Sequence, residues 1–508
     1  MIRSRVFLII MIILSAVFLS SCASVPETER ERGAALQAED TDGGVEGEVE
    51  FLREGIQRAE SLDEIAFSSI EFIPPEPQKH LLSNGMTVFL LEDHELPLFD
   101  LYAVVKTGSI YVSREKRGLE SVFPVVMRTG GTPTREPDEL NEELESLAAS
   151  VEINMGAEYV TASLSCLAGD MGKGLEIFAD IMKNPAFREE KLDLRKLQVL
   201  ETIRRRNDNP VGIARRYFSA MVYGTEHPRG WYPTEDTVNA ISREDLRSFH
   251  SKYFVPDNIM LAVTGSFETE ALLEELESLF GSWQKVVVDF PEAKEITAPS
   301  QREVYYIPKD LNQTTIFIGH LGFKRSPGNE DYFPLLVMNE ILGGSGFTSR
   351  LFREVRDKRG LAYAVGSALD TTSYEYPGVW FAYSLNRADK TCEAISLMLD
   401  IIEDIRRNPV GEEELSLIKE HIVNSFIFGF ESSSQVVFQQ LMLDFRGYPQ
   451  DFLETYTEKI EAVTAEDVIR VAEEYLHPDK LVFVVVGNSD YFDGNLSDYG
   501  KVQEIVPD

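Results

Sequence analysis

The stretch ISREDLRSFHSKYFVPDNIMLAVTGS at 241–266 returns as VTAEDVIRVAEEYLHPDKLVFVVVGN at 463–488. Asp245 and Asp467, Pro256 and Pro478, and Gly265 and Gly487 are each 222 positions apart. A second pair, IFADIMKNP at 177–185 and IIEDIRRNP at 401–409, repeats at an offset of 224. Units of this length are far too long for a solenoid, so the chain must build one fold twice. Each copy ends alike. A capping box (Ser242 to Asp245, Thr464 to Asp467) opens a helix, a proline turn follows, and a continuous apolar strand closes the unit.

Strand-like runs open the first copy, as in GMTVFLLEDHELP and LYAVVKTGSIYV, and helical patterns follow from Gly118 and from Asp138 to Ala148. Segregated strands and helices predict an α+β class: two homologous domains, each a mainly antiparallel sheet covered by helices. The boundaries expected are 75–285 for the N-terminal domain, 286–299 for a linker, 300–490 for the C-terminal domain and 491–508 for a tail.

The first 22 residues, MIRSRVFLIIMIILSAVFLSSC, place Arg3 and Arg5 before an apolar run from Val6 to Leu19. This is the pattern of an export signal, and the run is short for a membrane span. Leu19-Ser20-Ser21-Cys22 resembles the lipobox of bacterial lipoprotein precursors, with Cys22 as the lipidated residue. An uncleaved anchor or a plain secretory peptide are the other readings, and each leaves the body of the chain outside the cytoplasm. The expected location is the bacterial cell envelope, lipid-anchored and facing the periplasm. Ala23 in place of an aspartate points to the outer membrane. Residues 23–74 are acidic and lack apolar periodicity, as a flexible tether would.

A formal net charge of −36 excludes nucleic acid as a partner, since phosphate binding needs a lysine and arginine surplus. Apart from Cys22 there are only Cys166 and Cys392, 226 positions apart, which are expected to sit singly in separate cores.

Taken as an ordered set, GMTVFLLED, the glycine-bounded helix at 118, MKNPAF, YGTEHPRG, YFVPDNIMLAVTGSF and LGGSGFTSRLFREVRDKRGLAYAVGS resemble the pitrilysin/insulinase family of metallopeptidases. The likeness is to the two-domain, processing-peptidase-like branch of these inverzincins, and it covers nearly everything from 80 to 500. It implies two similar domains facing each other across a cavity that admits extended peptides. Active members carry H-x-x-E-H on the first domain's helix, where histidines four apart share a face and hold zinc and the glutamate takes a proton from bound water. A further glutamate about 77 residues on completes their ligand set.

Aligning GLESVFPVVMRTGGT by its leading Gly118-Leu119 and trailing glycine-threonine turn puts Ser121, Pro124 and Val125 at those positions, and Thr202 at the fourth. None of the four has the chemistry required. Glu201 neighbours Thr202 but points about 100° away on a helix, and it reads, like Glu120, as a surface acid. No two of the seven histidines are three to five apart, and His227 in EHPRG reads as a turn residue. Pro124 is expected to distort its helix. No metal or other cofactor is therefore expected in this chain, and zinc is expected in a partner.

The family also uses an arginine and a tyrosine seven apart in the C-terminal domain to hold the substrate carbonyl. In VRDKRGLAY these are Arg356 and Tyr363, the catalytic candidates here. Spacing alone would make REVRDKR a solvated helix face. Gly343-Gly344 and Gly346 would give the chain room to turn nearby, and simple loop flexibility accounts for them as well. The resemblance thus implies the non-zinc subunit of a heterodimeric zinc endopeptidase, inactive alone, whose partner is an H-x-x-E-H-bearing paralogue. The alternative is a catalytically inactive peptide-binding or scaffold lipoprotein of the same fold.

Overall fold

The computed structural model describes residues 75–292 and 295–508. Cys22, the signal segment 1–22 and the tether 23–74 lie outside them. Among the described residues, no helix is long and apolar enough to cross a membrane.

Two six-stranded sheets carry the fold. The first comprises β1 (Gln78–Leu81), β2 (Thr87–Glu92), β3 (Leu98–Val105), β4 (Ser150–Met155), β5 (Val160–Leu167) and β6 (Ile259–Gly265), in the order β1-β2-β6-β3-β5-β4. The second comprises β7 (Glu303–Pro308), β8 (Gln313–Leu321), β9 (Ala362–Leu369), β10 (Val379–Arg387), β11 (Val482–Gly487) and β12 (Lys501–Glu504), in the order β12-β7-β11-β8-β10-β9. Five strands correspond one to one, and within each set of five one pair is parallel (β2 with β6, β7 with β11) and the others are antiparallel. The duplication is thus visible as topology.

The sixth strand breaks the symmetry. β1 is antiparallel to β2, whereas β12 runs parallel to β7 and comes from the end of the chain. The segment expected as a tail from 491 therefore completes the second sheet. All four side chains of β12 are exposed, so no apolar pattern marked it.

Both predicted capping boxes form, at Ser242 with Asp245 and at Thr464 with Asp467. The strands that follow, β6 and β11, are buried almost throughout, and every residue of β11 is buried. A strand with unbroken apolar sequence needs cover on both faces. One face of each sheet packs on helices of its own half, giving two separate cores. The other face is covered by a helix from the opposite half.

Helix α3 (Pro210–Tyr223) places Ile213, Tyr217 and Phe218 against Phe317, Val482 and Val484 of the second sheet. Helix α4 (Ser433–Phe445) places Val437, Leu441 and Met442 against Phe89, Val104 and Ala262 of the first. This exchange locks the two halves together through their sheets. Two cavities, about 470 and 850 Å³, are both lined by C-terminal residues.

Polar ties close the seam. Arg229 bonds Glu158 at 2.8 Å and Asp370 at 3.0 Å, and the Tyr223 hydroxyl donates to the Pro377 carbonyl at 3.0 Å. Burial works to raise the Asp370 carboxyl. Hydrogen bonds from Ser373 and Thr372, with the Arg229 charge, overcome it and hold the group below its ordinary value. His227 turns the chain into this clamp, its Nδ1 accepting from the Arg229 N–H and its ring stacked on Tyr223. Cys166 and Cys392 are free and buried, one in each half, and burial pushes both thiols up to about 11.

Candidate functional site

The glycine-bounded stretch forms helix α1 (Leu119–Thr129), with Gly118 at φ +106 before it and its N–H held by the Glu120 carboxylate. The helix runs unbroken through Pro124, contrary to expectation. Pro124 is buried beside Val122 and Phe123, whose packing keeps the turn helical although the Glu120 carbonyl loses its intrahelical donor. Ser121 and Val125 sit one turn apart on the half-exposed side.

Helix α2 (Glu189–Arg205) packs against α1. Thr202 is exposed and turns its hydroxyl back to the Gln198 carbonyl, and Glu201 pairs with Arg205 at 2.8 Å. Between the helices lies a residue that sequence reading passed over. The Nε of Arg195 donates to the Ser121 carbonyl at 2.9 Å, and its Nη1 donates to Gln198 at 3.1 Å. Burial alone lowers its pKa.

These residues do not fit a zinc ion. A hydroxyl, a proline, an isopropyl group and a threonine tied to its own helix offer no imidazole, thiolate or carboxylate. Among the described residues, no group of three His, Cys, Asp or Glu side chains is placed to hold a metal.

The C-terminal half does bring its two candidates together. Arg356 lies on the helical segment Phe352–Lys358, whose backbone bonds in the wider i to i+5 pattern. Tyr363 lies at the start of β9, an edge strand. Leu385 of β10 pairs with Ala364 and Asn386 pairs with Ala362, so Tyr363 is the extra residue of a bulge. Bulges re-aim side chains, and this one leaves the Tyr363 ring 56% exposed.

The Arg356 guanidinium sits 4.7 Å from the centroid of Phe352 and 5.5 Å from that of Tyr363. Phe347, 65% exposed, meets Phe352 edge-on at 4.8 Å. Among the described residues Arg356 makes no ion pair, and its half-buried guanidinium lies against two rings. The bulge and the aromatic support were missed from sequence, although Phe352 stands four residues before Arg356, the spacing of one helical turn.

The glycines nearby have separate reasons. Gly343 lies against β9, where a Cβ would come within 2.3 Å of the Ser367 nitrogen. Gly346 has open space around it and needs its φ of +63.

With this geometry in view, the comparisons decide the family. A profile described as "Insulinase (Peptidase family M16)" matches residues 89–230, and one described as "Peptidase M16 inactive domain" matches 240–422. An uncharacterized zinc protease of Rickettsia bellii is 30% identical over 312 residues, covering 61% of this chain and 73% of that protein. The chain belongs to the insulinase family, peptidase family M16.

Another relative, an uncharacterized zinc protease of Rickettsia felis, is 29% identical over 405 residues, covering 77% of this chain and 93% of its own length. Two solved structures share the fold. The peptidase M16 inactive domain from Pseudomonas fluorescens matches at a TM-score of 0.73 with 24% identity, over 81% of this chain and 98% of its own. A protease from Helicobacter pylori matches at 0.71 with 20% identity, over 82% and 100%. The M16 relationship extends over both halves, with the two profiles matching 89–230 and 240–422.

Proposed function

We propose that this chain is the non-zinc subunit of a heterodimeric M16 endopeptidase, supplying Arg356 and Tyr363 to a partner that carries H-x-x-E-H. The observation that supports this reading is the contrast between the two halves. One has metal-position residues that cannot bind metal, and the other has a half-buried guanidinium and an exposed phenol held side by side at the edge of a sheet.

A fixed cation and a hydroxyl next to each other suit the carbonyl oxygen of an extended peptide, and bind it better as negative charge builds there. The metal and the attacking water would come from the partner, so this chain's part is to orient the peptide and stabilise the oxygen. The peptide-admitting cavity would then form between two chains. Extended substrates would pair with a sheet edge, where main-chain hydrogen bonds give affinity. The work would take place outside the cytoplasm, with Cys22 lipidated and the body facing the periplasm.

The test is to express the chain without residues 1–22, alone and with an H-x-x-E-H-bearing paralogue encoded nearby, and to measure cleavage of a quenched peptide library. Activity only in the mixture is expected, and Tyr363→Phe should slow it without dissociating the pair. Unchanged turnover in Tyr363→Phe counts against the assignment, and silence in the mixture moves the reading to a peptide-binding or scaffold lipoprotein.

A further inference from the structure

We propose that Arg195 takes the place of a metal ion in the N-terminal half: a built-in cation between α1 and α2 that closes the former zinc position to any divalent ion. The claim does not depend on a partner, and it goes beyond the loss of ligands. A site that has only lost its donors regains its metal when they are restored. A site that has also acquired an opposing charge does not.

Three observations carry it. Arg195 precedes Thr202 by seven residues, two turns of α2, so both stand on one face of that helix. Its Nε reaches 2.9 Å from the Ser121 carbonyl, which sets the guanidinium against the α1 position that a first histidine would occupy. Its charge is also left uncompensated. Among the described residues Arg195 makes no ion pair, while Glu201 is taken by Arg205 and Glu120 by the Gly118 N–H and Arg117.

A permanent positive charge this close, half-buried and stripped of part of its water, repels a doubly charged ion strongly. Arginine cannot escape by losing its proton, as a lysine there could. The same guanidinium ties α2 to α1, a bond that a metal shared by the two helices would otherwise provide.

The experiment restores the ligand set in the full chain: Ser121→His, Pro124→Glu, Val125→His and Thr202→Glu, with Arg195 either kept or replaced through Arg195→Gln, a change that retains an N–H donor for the Ser121 carbonyl. Bound zinc is counted by elemental analysis after dialysis, affinity is measured against a chromogenic chelator, and folding is followed by circular dichroism. If the proline change prevents folding, the pair is repeated with Pro124 in place, altering only half-exposed or exposed positions.

Near-stoichiometric zinc in the protein that also carries Arg195→Gln, and binding at least about 100-fold weaker in the one that keeps Arg195, is the expected result. Equal zinc binding in both overturns the proposal and leaves Arg195 a structural tie. Absence of zinc from both folded proteins overturns it too, since the charge would then not be what closes the site.

Discussion

The Arg356 guanidinium lies over the Tyr363 ring, 5.5 Å from its centroid, although the two belong to different elements, a widened helical turn and a bulged edge strand. A planar cation between Phe352 and Tyr363 keeps its in-plane donors free for an approaching oxygen. Lysine carries the charge without the plane or the stacking. In the proposed heterodimer, Arg356→Lys should therefore lower kcat about 100-fold with KM little changed, as loss of a donor made mainly in the transition state does. A rise in KM alone would show that Arg356 serves ground-state binding only.

Gly343 and Gly346 should respond differently to alanine. At Gly343 the added methyl would meet the backbone of β9 at 2.3 Å and push away the strand that carries Tyr363. Loss of about 1–3 kcal/mol of stability is expected, with a matching loss of activity in the proposed heterodimer. At Gly346 only the φ of +63 is violated, which costs roughly 1 kcal/mol. Thermal unfolding of the two variants side by side checks the order. Equal effects would favour loop flexibility as the reason for both glycines.

Arg229 binds the halves together through Glu158 and Asp370, and removing it leaves a buried and a part-buried carboxylate without their shared cation. Arg229→Met should destabilise the chain by roughly 3–5 kcal/mol, because the broken partners stay buried. Adding Glu158→Gln and Asp370→Asn should recover part of that loss. Denaturant melts of the single and triple variants measure both steps, and an additive triple variant would refute the coupling.

Stability should fall on mild acidification. Burial depresses His250 and His320 from 6.5 to about 4, so the folded protein holds them neutral while the unfolded chain binds protons from about pH 6.5 downward. The unfolded state therefore gains protons first, and stability is lost between pH 6.5 and 4 by roughly 3 kcal/mol for each histidine. Melting midpoints across that window test this. His250→Gln should flatten the profile, and an unchanged slope would remove His250 from the account.

Much of this architecture was legible in the chain because the repeat writes it twice. The capping boxes, the proline turns and the continuous apolar run of β11 fall where the periodicity put them. β12 was not legible, since KVQE exposes every side chain and an edge strand of that kind leaves no apolar signature. Nor was the helix exchange. The apolar faces of α3 and α4 say that each helix is buried, and nothing local says under which sheet.

In the site, Arg356 and Tyr363 could be named from their motif. The bulge could not, because it is a matter of pairing between distant strands. Arg195 stayed hidden for a related reason: its meaning depends on a carbonyl 74 positions away.

The crossing of α3 and α4 sets an order of events at the ribosome. The first sheet can pair all its strands once residue 265 has emerged, yet the helix that covers its second face begins at Ser433. During the intervening synthesis a sheet face bearing Phe89, Val104 and Ala262 stands open to water, and α3 waits for strands not yet made. The nascent chain thus has no finished half to rest on. It reaches a closed state only when nearly all of it is available, and until then its exposed sheet is a binding surface for holding chaperones and a route to aggregation.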